Sequence, residues 1–215
     1  MLRTGCRILA LALLAWPLRA HAQAATSPLT PRLSFTLGVS STTLSTAVAV
    51  GATNRQSAVP GVELALPLTA RVAVVPTLLV VRKGARFSTP RGHQQMLDWN
   101  YVELPVLLRV ELPTRYHLTP FLSGGPALAY QTGCWIDDSV QPRATCHAYD
   151  RAPTSGGIPD RRRVDVSALL GGGITIPAAG HRVRIGALYD HGLRRVNPAV
   201  ATRNRAWYYL TSIEW

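Results

Sequence analysis

From Leu33 onward the dominant repeat of apolar and polar side chains is two residues, not 3.6, which predicts β-strands rather than helices. Leu33, Phe35, Leu37 and Val39 alternate with Arg32, Ser34, Thr36 and Gly38. Val62, Leu64 and Leu66 alternate with Gly61, Glu63 and Ala65, and Val102 to Val110 alternate with Tyr101, Glu103, Pro105, Leu107 and Arg109. The same holds for Val164, Val166, Ala168 and Leu170 against Asp165, Ser167 and Leu169, and for Val183, Ile185, Ala187 and Tyr189 against Arg184, Gly186, Leu188 and Asp190. The chain closes with Trp207, Tyr209, Ile213 and Trp215 set against Ala206, Tyr208, Leu210, Ser212 and Glu214. Two more segments, Arg71 to Arg82 and Leu118 to Tyr130, are strand-like without a clear division into faces. Eight strands of roughly seven to thirteen residues result, near the ~9–11 that a tilted membrane strand needs.

The connections alternate in length. Pro67 to Ala70, Glu111 to His117 and Pro177 to Gly180 are short, whereas 40–60, 83–98, 131–163 and 191–204 are long. Tight turns at one end and long loops at the other are the pattern of an outer-membrane barrel. Structureless loops above ~15 residues are uncommon in compact soluble domains. The expected fold is an all-β, eight-stranded, antiparallel, up-and-down transmembrane β-barrel over residues 32–215. In lipid no strand edge can stay unpaired, so the sheet must close.

The first residues change the compartment. Arg3 and Arg7 precede an uncharged apolar run, Ile8 to Trp16, and Ala20-His21-Ala22 is a small-x-small cleavage site. Residues 1–22 are expected to be a cleaved signal peptide, with 23–31 a short periplasmic lead. The apolar run is too short to span a bilayer, and no run of ~18 apolar residues follows it. Residues 1–22 hold three of the arginines behind the formal net charge of +12, leaving +9. Two cysteines remain, Cys134 and Cys146. In an oxidising compartment they read as a disulfide in the largest external loop. It would contribute about 3 kcal/mol in the chain-entropy model.

At eight strands the barrel interior is just filled by side chains. The inward parity holds Glu63, Glu103, Arg109, Asp165, Arg184, Asp190 and Glu214, and Arg82 joins them if its side chain faces inward. Opposite charges enclosed together should pair, since an isolated one is costly. A plugged structural barrel is therefore expected rather than a conducting pore.

Several segments resemble the PorT-type, OmpA-like outer-membrane β-barrel family. Tyr101-Val102-Glu103-Leu104-Pro105 through Arg109 resembles that family's fourth strand, Tyr-x-Glu-Ile-Pro followed by apolar residues and a base. Pro76 to Phe87 resembles the preceding strand with its basic-Gly exit. Pro120 to Pro126, Leu169 to Ile174 and Tyr189 to Leu193 resemble the fifth, sixth and seventh strands. The order and spacing of these segments carry the likeness, and the first loop, 40–60, departs most from it. The ending Trp207, Tyr209, Ile213, Trp215 is similar to the C-terminal signal read by barrel-assembly machinery. That resemblance implies this machinery as a partner.

Catalytic patterns are weak. His93, His117, His147, His181 and His191 show no metal-ligand spacing, and no cofactor is expected. Cys146-His147 cannot act as nucleophile and base if Cys146 is bridged. Asp190 and His191 are adjacent on a strand and point to opposite faces. Gly171-Gly172-Gly173 follows a strand but belongs to no GxGxxG or Walker pattern. The basic residues gather in the expected loops: Arg82, Lys83, Arg86 and Arg91; Arg143, Arg151, Arg161, Arg162 and Arg163; Arg194, Arg195, Arg203 and Arg205. In an exported barrel their nearest polyanion is lipopolysaccharide phosphate, which suits guanidinium forks. Nucleic acid is not an expected partner.

The expectation is a monomeric, non-catalytic protein of the outer membrane of a Gram-negative-type envelope, with a structural, surface-interaction or secretion-accessory role. The resemblance hints at the last, although fold does not fix function. The alternatives are a barrel enzyme acting on lipid or peptide at the membrane face and, behind it, a soluble lipocalin-like binder, for which the outward rows are too apolar.

Overall fold

The computed structural model describes residues 30–45, 53–88, 94–114, 117–138, 143–146, 163–194 and 203–215. The expected signal peptide, 1–22, lies outside them. The strands are β1 (Arg32–Ser45), β2 (Arg55–Pro67), β3 (Val72–Ser88), β4 (Gln94–Glu111), β5 (Thr119–Asp138), β6 (Ala144–Thr145), β7 (Val164–Ala178), β8 (His181–Gly192) and β9 (Arg203–Glu214). Each long strand pairs antiparallel with its neighbour in the chain order, and β1–β9 pairing closes the ring. The result is a closed barrel of eight long strands. The two-residue β6 is an appendage on the outer part of β5.

The alternation sorts side chains as a closed sheet requires. Outward rows are apolar and exposed: Leu37 is 63% and Leu170 69% accessible. Water would penalise so continuous a belt of exposed apolar surface, so its natural solvent is a hydrocarbon. Inward rows are small, polar or charged at one level and apolar at another. Close strand approach sets the glycines of β7: a Cβ on Gly171 would lie 2.0 Å from the carbonyl oxygen of Ala187 on β8.

The short turns are built from local chemistry. Ala179 and Gly180, both at positive φ, form the two-residue link between β7 and β8. That backbone matches the twist of a tight hairpin. Between β2 and β3, Thr69 Oγ1 accepts hydrogen bonds from the amides of Arg71 and Val72. The β4–β5 connection is tied by Leu112 N donating to Pro120 O, 2.8 Å.

At the other end the strands run further than the hydrophobic alternation. β3, β4 and β5 are 17, 18 and 20 residues long, whereas β8 and β9 have 12 each. Residues 40–45, 55–60, 83–88, 94–98, 131–138 and 144–145, expected as parts of long loops, are therefore strand. Arg82, Lys83 and Arg86 stand on β3, and Arg203 and Arg205 on β9, rather than in loops. Arg143, Arg163 and Arg194 are exposed, and Arg91, Arg151, Arg161, Arg162 and Arg195 lie outside the described residues.

The cysteine bridge is also displaced from its expected setting. Cys134 and Cys146 are joined, with Cα atoms 5.4 Å apart, but Cys134 lies within β5 and Cys146 directly follows β6. The bridge staples β6 to β5 beside the pairs Trp135↔Thr145 and Ile136↔Ala144. The Arg143 guanidinium covers the Trp135 ring at 5.0 Å.

Candidate functional site

The lumen is where this sequence concentrates its polar chemistry. Read along the inward face, β4 runs Glu103, Pro105, Leu107, Arg109; β8 runs Asp190, Leu188, Gly186, Arg184; and β9 runs Tyr208, Leu210, Ser212, Glu214. Each passes from a charged or phenolic group, through an apolar step, to another charged or polar group. Three layers result.

At the short-turn end Glu63 accepts from Arg109 Nη2 at 2.9 Å, Arg184 Nη2 at 3.0 Å and Ser212 Oγ at 2.9 Å. Arg184 also donates to Ser34 Oγ and pairs with Glu214. Glu214 takes Arg32 at 3.1 Å and Arg182 at 3.4 Å as well, and Arg182 reaches Glu111. Arg109 lies 5.3 Å from the ring centroid of Phe121. The middle layer is apolar, with Leu79, Leu107, Leu188 and Leu210 buried together.

The layer toward the long-strand end centres on Lys83, whose Nζ is 2.7 Å from Glu103 Oε2 and 2.6 Å from Asp190 Oδ2. Tyr208 Oη lies 3.1 Å from Glu103 Oε2 and 3.0 Å from Asp190 Oδ2, so its single proton serves one carboxylate at a time. Lys83, Glu103, Asp190 and Tyr208 are each at most 1% exposed. Asn204 Nδ2 donates to Asp165 Oδ2 at 2.6 Å. Further out, Arg55 Nε is 2.7 Å from Asp98 Oδ1.

Glu63, Glu103, Arg109, Asp165, Arg184, Asp190 and Glu214 thus all lie buried in the lumen. Arg82 does not; it is exposed on the outer face, and its neighbour Lys83 takes the interior place. Lys83 is an interior charge that sequence reasoning missed. Its signal is the spacing of two from Thr77, Leu79 and Val81, all buried. Asp190 and His191 point to opposite faces, Asp190 onto Lys83 and His191 outward beside Tyr189. Trp207, Tyr209, Ile213 and Trp215 all point outward, and Trp215 packs edge-on against Phe35 at 5.3 Å. No group of three His, Cys, Asp or Glu among the described residues could hold a metal ion.

A family model described as "Outer membrane protein beta-barrel domain" matches residues 21–196. The chain belongs to that family. The protein is accordingly an outer-membrane barrel, and β9, beyond the matched span, supplies the closing strand. Solved structures of similar shape include Neisserial surface protein A, 9% identical at a TM-score of 0.52, covering 85% of this chain and 95% of that one. OprG from Pseudomonas aeruginosa is 11% identical at 0.49, covering 86% and 94%. The attachment invasion locus protein Ail of Yersinia pestis is 10% identical at 0.44, covering 86% and 98%. At 9% identity the likeness to Neisserial surface protein A is one of fold alone. Among curated proteins none matches this chain.

Proposed function

We propose that this chain is a non-catalytic, non-conducting outer-membrane barrel that works through its outward surface, as a structural and surface-interaction element, and that its arginines engage lipopolysaccharide phosphates. The observation that carries this reading is the filled lumen. Two charge-paired layers and the leucine layer between them occupy the interior, and a buried pair loses much by opening, because either partner alone would be an uncompensated charge. A solute path would have to break all three.

What is left for interaction is the outside. Arg82 on β3 and Arg205 on β9 face outward just past the apolar belt, next in their rows to Val80 and Trp207, and Arg86 and Arg203 stand further out on the same strands. Guanidinium forks at that level suit phosphate monoesters of the outer leaflet. The short-turn end then faces the periplasm, as in bacterial barrels generally. The PorT-type resemblance adds the finer reading of a secretion-accessory role in a monomeric barrel assembled by the barrel-assembly machinery. The enzyme alternative gains no support from Asp190, engaged by Lys83, or from Cys146, bridged to Cys134.

Two measurements on the refolded protein test this. In planar bilayers it should give no stable conductance steps; regular single-channel openings would overturn the closed-lumen reading. Replacing Arg203 and Arg205 together by alanine should weaken binding to lipopolysaccharide micelles by at least about tenfold, the order expected for charge-assisted hydrogen bonds. Unchanged binding would remove these arginines from the proposal.

A further inference from the structure

The short-turn mouth of the barrel holds more positive charge than its carboxylates balance. A cavity of about 80 Å³ opens there. Arg32, Arg71, Arg109, Arg182 and Arg184 line it, with Glu111 and Glu214 in the same wall. Glu63 stands behind, already shared by Arg109 and Arg184. Five guanidinium groups thus face three carboxylates, and two positive charges remain over.

The carboxylates are already heavily used. Glu214 serves Arg32, Arg182 and Arg184, and Glu111 serves Arg182. Arg71 makes no ion pair with a described residue. Arg109 and Arg184, both more than nine-tenths buried, line this cavity, and among the described residues their Nε donors have no hydrogen-bond partner. Those Nε atoms are themselves enclosed, so what the two residues offer a ligand here is charge. The cavity far exceeds the space one water needs.

We propose that this mouth is a binding site for one oxyanion group, a carboxylate or a phosphate, entering from the turn side. Arg71 and Arg182 meet it at the rim, and Arg109 and Arg184 present positive charge from beneath. A recess whose lining carries a net excess of one sign of charge concentrates counter-ions of the other, and planar guanidinium forks match the oxygens of either group. Chloride, lacking that fork geometry, is the natural reference ion.

The test uses the full chain refolded in detergent. Inorganic phosphate, trialanine with a free carboxylate, and trialanine amide are titrated at constant ionic strength against chloride, and binding is read from ligand NMR line broadening. Phosphate, the free-carboxylate peptide, or both should bind saturably, and the amide should not. A preference for one of the two identifies the source of the oxyanion. Arg71→Ala should weaken binding about tenfold, the loss of one charge-assisted hydrogen bond. Arg71 is exposed, and its backbone bond to Glu111 N does not need the side chain, so this variant should fold. Arg194→Ala, exposed at the opposite end, should bind like the parent. No saturable binding beyond chloride, equal loss in the two variants, or an unaltered Arg71→Ala would overturn the site.

Discussion

Lys83 Nζ lies 2.6 Å from Asp190 Oδ2, a contact that joins β3 to β8 across the lumen between residues 107 apart in sequence. Glu103 completes the arrangement from β4. One ammonium group therefore holds two carboxylates from different strands in a space closed to water.

Removing that ammonium group should be costly. Lys83→Ala leaves Glu103 and Asp190 facing each other without a cation, and breaking a buried pair in this way costs about 3–5 kcal/mol. Urea titration of the folded barrel, followed by the gel shift between unheated and boiled samples, should show the midpoint falling. Combining Lys83→Ala with Asp190→Asn should recover part of the loss. An unmoved midpoint in the single variant would mean that the cluster adds nothing to stability.

The outward belt can be tested at Leu170, the most exposed large hydrophobic residue among those described. In a water-soluble protein, Leu170→Arg at so exposed a position would change stability by no more than about 0.5 kcal/mol. On a lipid-facing strand near the bilayer midplane it should cost about 2–4 kcal/mol. Refolding equilibria in lipid vesicles distinguish the two, and a near-neutral result would contradict the placement of β7 against hydrocarbon.

Reduction of the Cys134–Cys146 bridge should act locally. The bridge ties β6 to the outer end of β5, beyond the stretch of β5 that pairs with β7. Amide exchange should accelerate at Trp135 and Ile136, whereas protection in β8 and β9 stays unchanged. Peptide mapping without reductant should recover the cross-linked pair; collapse of the whole barrel on reduction would show that the staple reaches further than its position implies.

Deleting Trp215 should reduce assembled barrel in membranes far more than Arg163→Ala at matched expression. Trp215 N donates to Leu33 O at 3.1 Å where β9 meets β1, and its ring rests on Phe35 and His181. Arg163 is exposed to water, where substitutions usually matter little. Equal yields would make the terminal pattern incidental to assembly.

The faces of β4, β7, β8 and β9 were legible because their inward and outward residues differ in kind, as with Glu103 beside Leu104 or Asp190 beside Tyr189. β3 was not, because its lumen side crosses the apolar layer: Val75, Leu79 and Val81 are as hydrophobic as the outward Leu78 and Val80. That hid the parity on which Lys83 falls. On β5 the outward row contains Gly124 and Pro126, and Thr132 is an unopposed extra residue between the pairs Tyr101↔Gln131 and Asn100↔Gly133. Alternation there carries little contrast and then changes phase. Strand ends were misjudged for another reason. Past the lipid belt the outward residues turn polar, as Arg82 and Arg203 do, while the backbone ladder continues. The arginine excess at the short-turn mouth was missed because Arg32, Arg71 and Arg182 come from three separate segments that only barrel closure brings together.

The unequal strand lengths give the molecule a lopsided skyline. At ~3.4 Å per residue and a tilt of ~45°, a 12-residue strand such as β9 rises about 29 Å, close to the ~30 Å hydrocarbon thickness. By the same reckoning the 20 residues of β5 rise about 48 Å. Among the described residues the surplus forms a parapet of β3, β4 and β5 on one side of the rim, opposite the shorter strands β8 and β9. A bulky visitor from outside, such as an antibody or a phage tail, would touch the parapet first.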